Sequence, residues 1–193
     1  MRRLVVTENV SFDGVMAPMD GWFDPSRSDE DLLAASRAHR EAADALVLGR
    51  VTYQEFAGFW PYQHDDQTGV SSYLDQVAKY VVSGSLDRAE WQNSTVLRGP
   101  VAEELAALKA APGRDIVVTG SCQLVRSLAP LGLIDVYRLF VYPVVQGHGH
   151  RPFPDGFSTA LELIESRPFP VRCGADGVQD REVRFVAWED GRS

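Results

Sequence analysis

The chain alternates between two patterns of apolar and polar residues. Short apolar runs, such as Ala45–Leu48 and Ile116–Val118, are typical of strands buried on both faces of a sheet. Other stretches repeat apolar residues every three or four positions, as Val101, Leu105 and Leu108 do, and this spacing predicts an amphipathic helix. The two patterns alternate from the first residues to about position 130.

These patterns predict strands at Arg3–Thr7, Ala45–Leu48, Tyr80–Val82, Ser94–Leu97, Ile116–Val118, Asp135–Val145, Leu161–Ser166 and Arg181–Trp188. They predict helices at Leu32–Ala42 (begun at a Ser28 cap), Thr52–Phe59, Ser71–Val77, Val101–Ala110 and Ser121–Ala129. Alternating strands and helices predict an α/β fold, with a mostly parallel sheet between two helical layers. The strand-only end of the chain predicts antiparallel strands at one edge of that sheet.

Length and charge narrow the classes of function. A chain of 193 residues fits a single domain spanning 1–193. The net charge of −8, without a basic stripe, argues against a nucleic-acid partner. The sequence has no signal peptide and no apolar run near the ~18 residues of a membrane span, so we expect a cytoplasmic protein with no membrane contact. Cys122 and Cys173 are far apart and are expected to be free thiols.

Two strand-to-helix junctions point to a cofactor that carries phosphate. Gly49 and Gly120 each follow a short apolar run and precede a helical pattern. In a parallel sheet, ligands bind beyond the carboxyl ends of the strands. A glycine there lets the backbone approach a phosphate, and the helix that follows offers free N–H groups.

Six short motifs together resemble one family. They are Ser11-Phe-Asp-Gly14, Leu48-Gly-Arg-Val-Thr-Tyr53, Val82-Ser83, Thr119-Gly-Ser121, Gly132-Leu-Ile-Asp135 and Pro143-Val-Val-Gln-Gly147. In this order and spacing they resemble the dihydrofolate reductase-like superfamily. The branch that is most similar is the reductase domain of bacterial riboflavin biosynthesis (the RibD C-terminal domain) and its stand-alone relatives.

The resemblance implies NADPH as the cofactor. It implies that Gly49, Arg50 and Thr52 contact it, with the arginine on the 2′-phosphate and the threonine on the pyrophosphate. Ser83 would lie near the adenine-ribose phosphate. Thr119, Gly120 and Ser121 match the glycine-rich turn over the pyrophosphate, although only one glycine is present here.

The resemblance also implies a substrate side. Ser11, Asp13 and Gly14 would border the nicotinamide and the substrate, with Asp13 a candidate catalytic group. Asp31 is a candidate proton donor because folate reductases use one carboxylate near the start of this helix, although a helix-capping role explains Asp31 equally well. Trp22, Phe59 and Trp60 are candidate walls of the substrate pocket, and the loop Met16–Ser26 is a candidate lid.

The function implied is hydride transfer from NADPH to a small heterocyclic substrate, similar to 5-amino-6-(5-phosphoribosylamino)uracil reductase. Two alternatives stay open: a true dihydrofolate reductase, which requires a working acid at Asp31, and a non-catalytic nucleotide-binding protein on the same scaffold. No metal site is expected, since His148 and His150 lack a third ligand. The family also implies a homodimer, with Tyr137–Val145 as its candidate interface.

Overall fold

One sheet organises the molecule. The computed structural model describes residues 1–16, 22, 30–173 and 178–187, and for residues 170–173 and 178–187 only their backbone. Its strands are β1 (Leu4–Ser11), β2 (Ala43–Gly49), β3 (Ala78–Val82), β4 (Ser94–Leu97), β5 (Asp115–Val118), β6 (Val136–Tyr142), β7 (Leu161–Cys173) and β8 (Val178–Ala187). They lie in the order β4-β3-β2-β5-β1-β6-β8-β7.

The first six strands of that order are parallel, and the last two are antiparallel additions at one edge. Both features confirm the predicted fold class. The helices are α1 (Glu30–Glu41), α2 (Arg50–Phe59), α3 (Val70–Gln76), α4 (Val101–Ala110) and α5 (Cys122–Leu128), with short 3₁₀ turns at Trp60–Tyr62 and Ala129–Leu131. Among the described residues no helix is long and apolar enough to cross a membrane.

Helices pack on both faces of the sheet, as the apolar runs require. On one face, Leu4 and Val47 pack with Leu105 of α4 and Leu128 of α5. On the opposite face, Leu46 and Val81 pack beside α2 and α3, while α1 covers Phe140 and Tyr142. Because the central strands are buried on both faces, their sequences are continuous apolar runs rather than alternating ones.

Among the strand boundaries that differ from the prediction, the carboxyl ends of β1, β6 and β7 each have a physical reason. β1 continues to Ser11, because its polar end still pairs with β6 as far as Tyr142. β6 ends at Tyr142, since Pro143 has no N–H to continue the ladder. β7 runs to Cys173 at the sheet edge, where prolines are tolerated. Ser28, Trp188 and most of the loop Met16–Ser26 lie outside the described residues.

A lysine is buried at the start of β3. Lys79 is 0% exposed, and its Nζ donates to the carbonyl oxygens of Leu74 at 2.5 Å and Val77 at 2.9 Å. The ammonium also lies 4.5 Å from the centre of the Trp91 ring. Burial lowers the pKa of Lys79 to about 8. The side chain therefore joins the end of α3 to the strand that follows it.

We predict that Lys79→Ala lowers the free energy of unfolding by about 2–4 kcal/mol, because it leaves a cavity and two carbonyls without their donor. Lys79→Met is the matched variant, since it keeps the aliphatic volume and removes only the ammonium. Urea denaturation at pH 7 measures both. A loss below about 0.5 kcal/mol in Lys79→Ala would show that the buried ammonium does not support the fold.

Candidate active site

The ends of β2 and β5 are joined by two hydrogen bonds. The Gly49 N–H donates to Ser121 Oγ at 2.9 Å, and the Thr52 hydroxyl donates to the Gly120 carbonyl oxygen at 3.2 Å. The two strands are neighbours in the sheet, so both glycines lie at the same carboxyl edge. Four of the expected cofactor residues are thus brought together.

The start of α2 is open to a ligand. The helix begins at Arg50, directly after β2, and among the described residues no side chain caps it. Its first N–H groups lack intrahelical partners and therefore favour an anion. Arg50 is exposed, and its guanidinium contacts only the neighbouring Gln54, at 2.8 Å, among the hydrogen bonds of the described chain. An arginine in this position is able to reach a phosphate held at the helix start.

Ser83 and Thr119 lie at the same edge. Ser83 follows β3, the strand beside β2, and is buried. Its hydroxyl accepts the N–H groups of Ser85 at 3.2 Å and Leu86 at 2.9 Å, so it stabilises its own turn. Thr119 follows β5 and is half-buried. The predicted cofactor residues therefore extend along the ends of three adjacent strands.

The turn after β1 forms the next part of this edge. Ser11 Oγ donates to Asp13 Oδ1 at 2.7 Å and accepts the Val15 N–H at 2.9 Å. Gly14 has φ +81° and donates its N–H to the Ser11 carbonyl oxygen at 2.9 Å. These bonds close a tight turn next to the strand ends of β5 and β6.

The carboxylate of Asp13 anchors a second loop. It accepts the N–H groups of Gln146 and Gly147, each at 2.9 Å, and pairs with the Arg151 guanidinium at 3.2 Å. These backbone N–H bonds, the one from Gln146 foremost, hold the pKa of Asp13 well below its usual range. Asp13 is thus suited to fixing the glycine-rich loop after β6 beside the turn after β1.

Trp22 lies on the α1 side of this region. Its ring meets the Tyr142 ring edge-on, with centroids 5.3 Å apart. The Tyr142 hydroxyl donates to Asn9 Oδ1 at 3.3 Å, and Tyr142 pairs with Ser11 across the sheet. Trp22, Asn9 and Tyr142 therefore lie next to the predicted substrate residues of β1. The sequence argument did not identify Asn9 or Tyr142, because their proximity depends on the register of β1 with β6.

Three other predicted residues make no hydrogen bond, ion pair or ring contact with this cluster among the described residues. The Asp31 side chain is 66% exposed in the first turn of α1, and its Oδ1 lies 3.9 Å from Arg167 Nη2. Phe59 is the last residue of α2 and Trp60 follows it, and the ten residues of this helix carry the chain about 15 Å from Gly49. Their rings contact one another with centroids 5.2 Å apart, and Trp60 also packs beside Phe56.

Glu8 is a further residue that the sequence argument missed. It is 3% exposed, on the inner strand β1, and lies beside the backbone of Gly120. Burial, only partly offset by the Gly120 N–H, raises its pKa to about 8. The available signal was a lone acidic residue after Val5, Val6 and Thr7, but the predicted strand ended at Thr7.

At the opposite end of the strands, their amino ends, lies a cleft of about 700 Å³. It is lined by Arg37, Arg40 and Arg114, among others. The Arg40 guanidinium is held by Ser36 Oγ at 3.0 Å and the Thr68 carbonyl oxygen at 2.9 Å. This cleft lies at the amino ends of the strands and is separate from the carboxyl-edge cluster. Within the described part of the chain, no group of three acidic, histidine or cysteine side chains could hold a metal ion.

Comparison with known proteins now identifies the family. The sequence model of the RibD C-terminal domain matches residues 2–173. The chain belongs to the RibD C-terminal domain family. A relative in this size range is the uncharacterized protein YyaP of Bacillus subtilis strain 168, which is 27% identical over 171 residues, covering 87% of this chain and 89% of YyaP.

Solved structures show the same fold. A proposed riboflavin biosynthesis protein from Shewanella sp. PV-4 superposes with a TM-score of 0.69 at 18% identity, over 97% of this chain and 99% of that one. A pyrimidine reductase-like protein from Corynebacterium diphtheriae gives 0.65 at 16% identity, over 98% and 93%. Dihydrofolate reductase from Enterococcus faecalis, complexed with NADP(H), gives 0.63 at 18% identity, over 97% of each chain. The fold of this RibD C-terminal domain is therefore dihydrofolate reductase-like.

We predict that Gly120→Ala weakens nucleotide binding at the carboxyl edge. Gly120 has φ +67°, which strains any L side chain, and an added Cβ would lie 3.1 Å from Thr52 Cγ2, so Thr52 must give way by a few tenths of an ångström. We expect a loss of about 1 kcal/mol in the free energy of unfolding and a tenfold or larger loss of NADPH affinity. Calorimetry and urea denaturation measure the two effects.

Gly84→Ala is the matched control, because an added Cβ there meets nothing within 4 Å. It should leave both quantities within experimental error. Equal NADPH affinity in Gly120→Ala and Gly84→Ala would contradict a role for the Gly120 turn in binding.

Proposed function

We propose that this protein is an NADPH-dependent reductase that transfers hydride to a small heterocyclic substrate. Membership of the RibD C-terminal domain family and the dihydrofolate reductase-like fold support a reductase of this type. The observation that carries the proposal is the joined end of β2 and β5, where Gly49, Thr52, Gly120 and Ser121 meet beside the open start of α2.

The residues present fit a dinucleotide. The uncapped N–H groups of α2 and the left-handed turn at Gly120 suit a pyrophosphate, and Thr52 and Ser121 add hydroxyl groups beside it. Arg50 is the group suited to a 2′-phosphate, which favours NADPH over NADH. NADPH would supply the hydride, and the protein would bind and orient it.

The substrate side is proposed at the neighbouring ends of β1 and β6. Ser11, Gly14 and Trp22 would border the substrate, and Asp13 would act by holding the loop after β6 against that border. Phe59 and Trp60 stay predictions, since the structure places them at the far end of α2. A small ring with a C=N or C=O bond fits this arrangement, because the half-buried Trp22 offers a flat apolar surface.

Two further expectations are part of the proposal. We propose a cytoplasmic location and a homodimer. The expected interface segment Tyr137–Val145 is mostly an inner strand, paired with β1 and β8. Better candidates for the contact are Leu163 and Ile164 on the edge strand β7, which are 55% and 45% exposed. Sedimentation that gives the mass of a single chain at micromolar concentration would contradict the dimer.

We predict that NADPH binds about 10- to 100-fold more tightly than NADH, and that Arg50→Ala removes this difference, because a charge-assisted hydrogen bond contributes about 1.5–3 kcal/mol. Isothermal titration calorimetry with both nucleotides measures it. Arg37→Ala, an exposed arginine at the opposite edge, is the matched control and should change neither affinity. Absence of binding by either nucleotide would overturn the reductase proposal.

The dihydrofolate reductase alternative depends on Asp31. Its carboxylate is exposed and paired with Arg167 rather than enclosed in an apolar pocket. We therefore predict that Asp31→Asn changes kcat with any accepted substrate by less than about threefold. A steady-state assay from pH 5 to 9 tests this. A loss of 100-fold or more, greatest at low pH where the wild-type carboxyl group is protonated, would restore Asp31 as the proton donor.

A further inference from the structure

A buried carboxyl group lies directly beneath the turn to which we assign the pyrophosphate. Glu8 is on β1, beside the end of β5, and on the sheet face that packs against α5. It is 3% exposed, and the reaction proposed above gives it no role. Carboxyl groups are rarely enclosed to this degree without a charged partner.

One residue of the turn, Gly120, adjoins both Glu8 and Thr52. Its N–H lowers the pKa of the Glu8 carboxyl group, against the larger effect of burial, and its carbonyl oxygen accepts the Thr52 hydroxyl at 3.2 Å. Gly120 is in the left-handed conformation, with φ +67°. Glu8 Oε1 has no hydrogen-bond partner among the described residues.

The charge of this group matters because of its position. With one oxygen unpartnered and no solvent, an ionised carboxylate is poorly compensated. Burial accordingly raises the pKa of Glu8 to about 8, so the side chain is mostly neutral at pH 7. Ionisation would place a negative charge one residue from the amides that would face a pyrophosphate.

We propose that Glu8 is a positioning residue of the cofactor site, which fixes the Gly120 peptide and must be uncharged for the turn to accept a dinucleotide pyrophosphate. The inference rests on the proposed function. It adds that protonation of Glu8 and binding of the dinucleotide are coupled, since each favours the other.

Other groups on this face could also titrate or carry charge. Among the described residues they are Cys122 and Arg126 of α5, Tyr137 of β6, and Arg151. The carbonyl oxygen of Arg151 accepts hydrogen bonds from the Cys122 thiol and the Arg126 guanidinium. Burial and the nearby Glu8 raise the pKa of Cys122, and burial raises that of Tyr137 to about 12. The experiment must therefore distinguish the ionisation of Glu8 from that of Cys122.

The test is the pH dependence of NADPH affinity for the full chain, measured by calorimetry from pH 7 to 9.5. The 2′-phosphate of the ligand titrates near pH 6 and so stays ionised across this range. We expect the wild-type affinity to fall about tenfold as Glu8 loses its proton. Glu8→Gln keeps an acceptor oxygen beside the same N–H but cannot ionise, so its affinity should match wild type at pH 7 within about threefold and stay flat to pH 9.5.

Cys122→Ser is the control and should keep the wild-type pH dependence. If Glu8→Gln retains the tenfold fall, or if wild-type affinity is flat, the inference is overturned while NADPH binding itself still supports the proposed function. Failure of the wild-type protein to bind NADPH at every pH would overturn both together.

Carbon-13 NMR of glutamate carboxyl groups in the wild-type protein decides the matter if Glu8→Gln does not fold. The expected result is one carboxyl group that titrates near pH 8 and moves to higher pH when NADPH is added. No glutamate titrating above pH 7, or one that NADPH leaves unchanged, would overturn the inference.

Discussion

The hydrogen bond from the Gly49 N–H to Ser121 Oγ is the contact on which the account of the site depends. It joins the ends of two neighbouring parallel strands directly before the starts of α2 and α5. Because Ser121 uses its hydroxyl on Gly49, it does not cap its own helix. The result is a carboxyl edge at which helix starts, a left-handed glycine and two hydroxyl groups meet, which is the arrangement that α/β sheets use for phosphates.

The amino and carboxyl ends of the strands differ in how their charged groups are used. At the amino ends, ion pairs such as Arg3 with Asp115 and Lys109 with Asp135 connect strands and helices, and their charges are already satisfied. At the carboxyl ends, Asp13 is the main fixed charge, and it holds one loop against another. Arg50 is left exposed there. The ion pairs and the proposed ligand site are thus separated along the strand direction.

The sequence predicts the central sheet well, because strands such as Ile116–Val118 are buried on both faces and cannot tolerate polar residues. It also predicts that the proposed cofactor residues lie together, since residues that directly follow neighbouring parallel strands lie at the same end of the sheet. It does not predict Asn9 or Tyr142, whose proximity depends on strand register, or the role of Glu8, whose surroundings come from β1, β5 and α5 together. Phe59 and Trp60 illustrate the opposite case: their residue types suit a pocket, but the length of α2 moves them away from the edge.

Hydrogen–deuterium exchange with and without NADPH tests the central claim most directly, because it locates the ligand on the chain. The account predicts slower exchange at residues 49–52 and 119–122, with no change around Arg37 and Arg40 at the opposite edge. Protection confined to the arginine-lined cleft, or NADPH binding with unchanged exchange at residues 49–52 and 119–122, would contradict it.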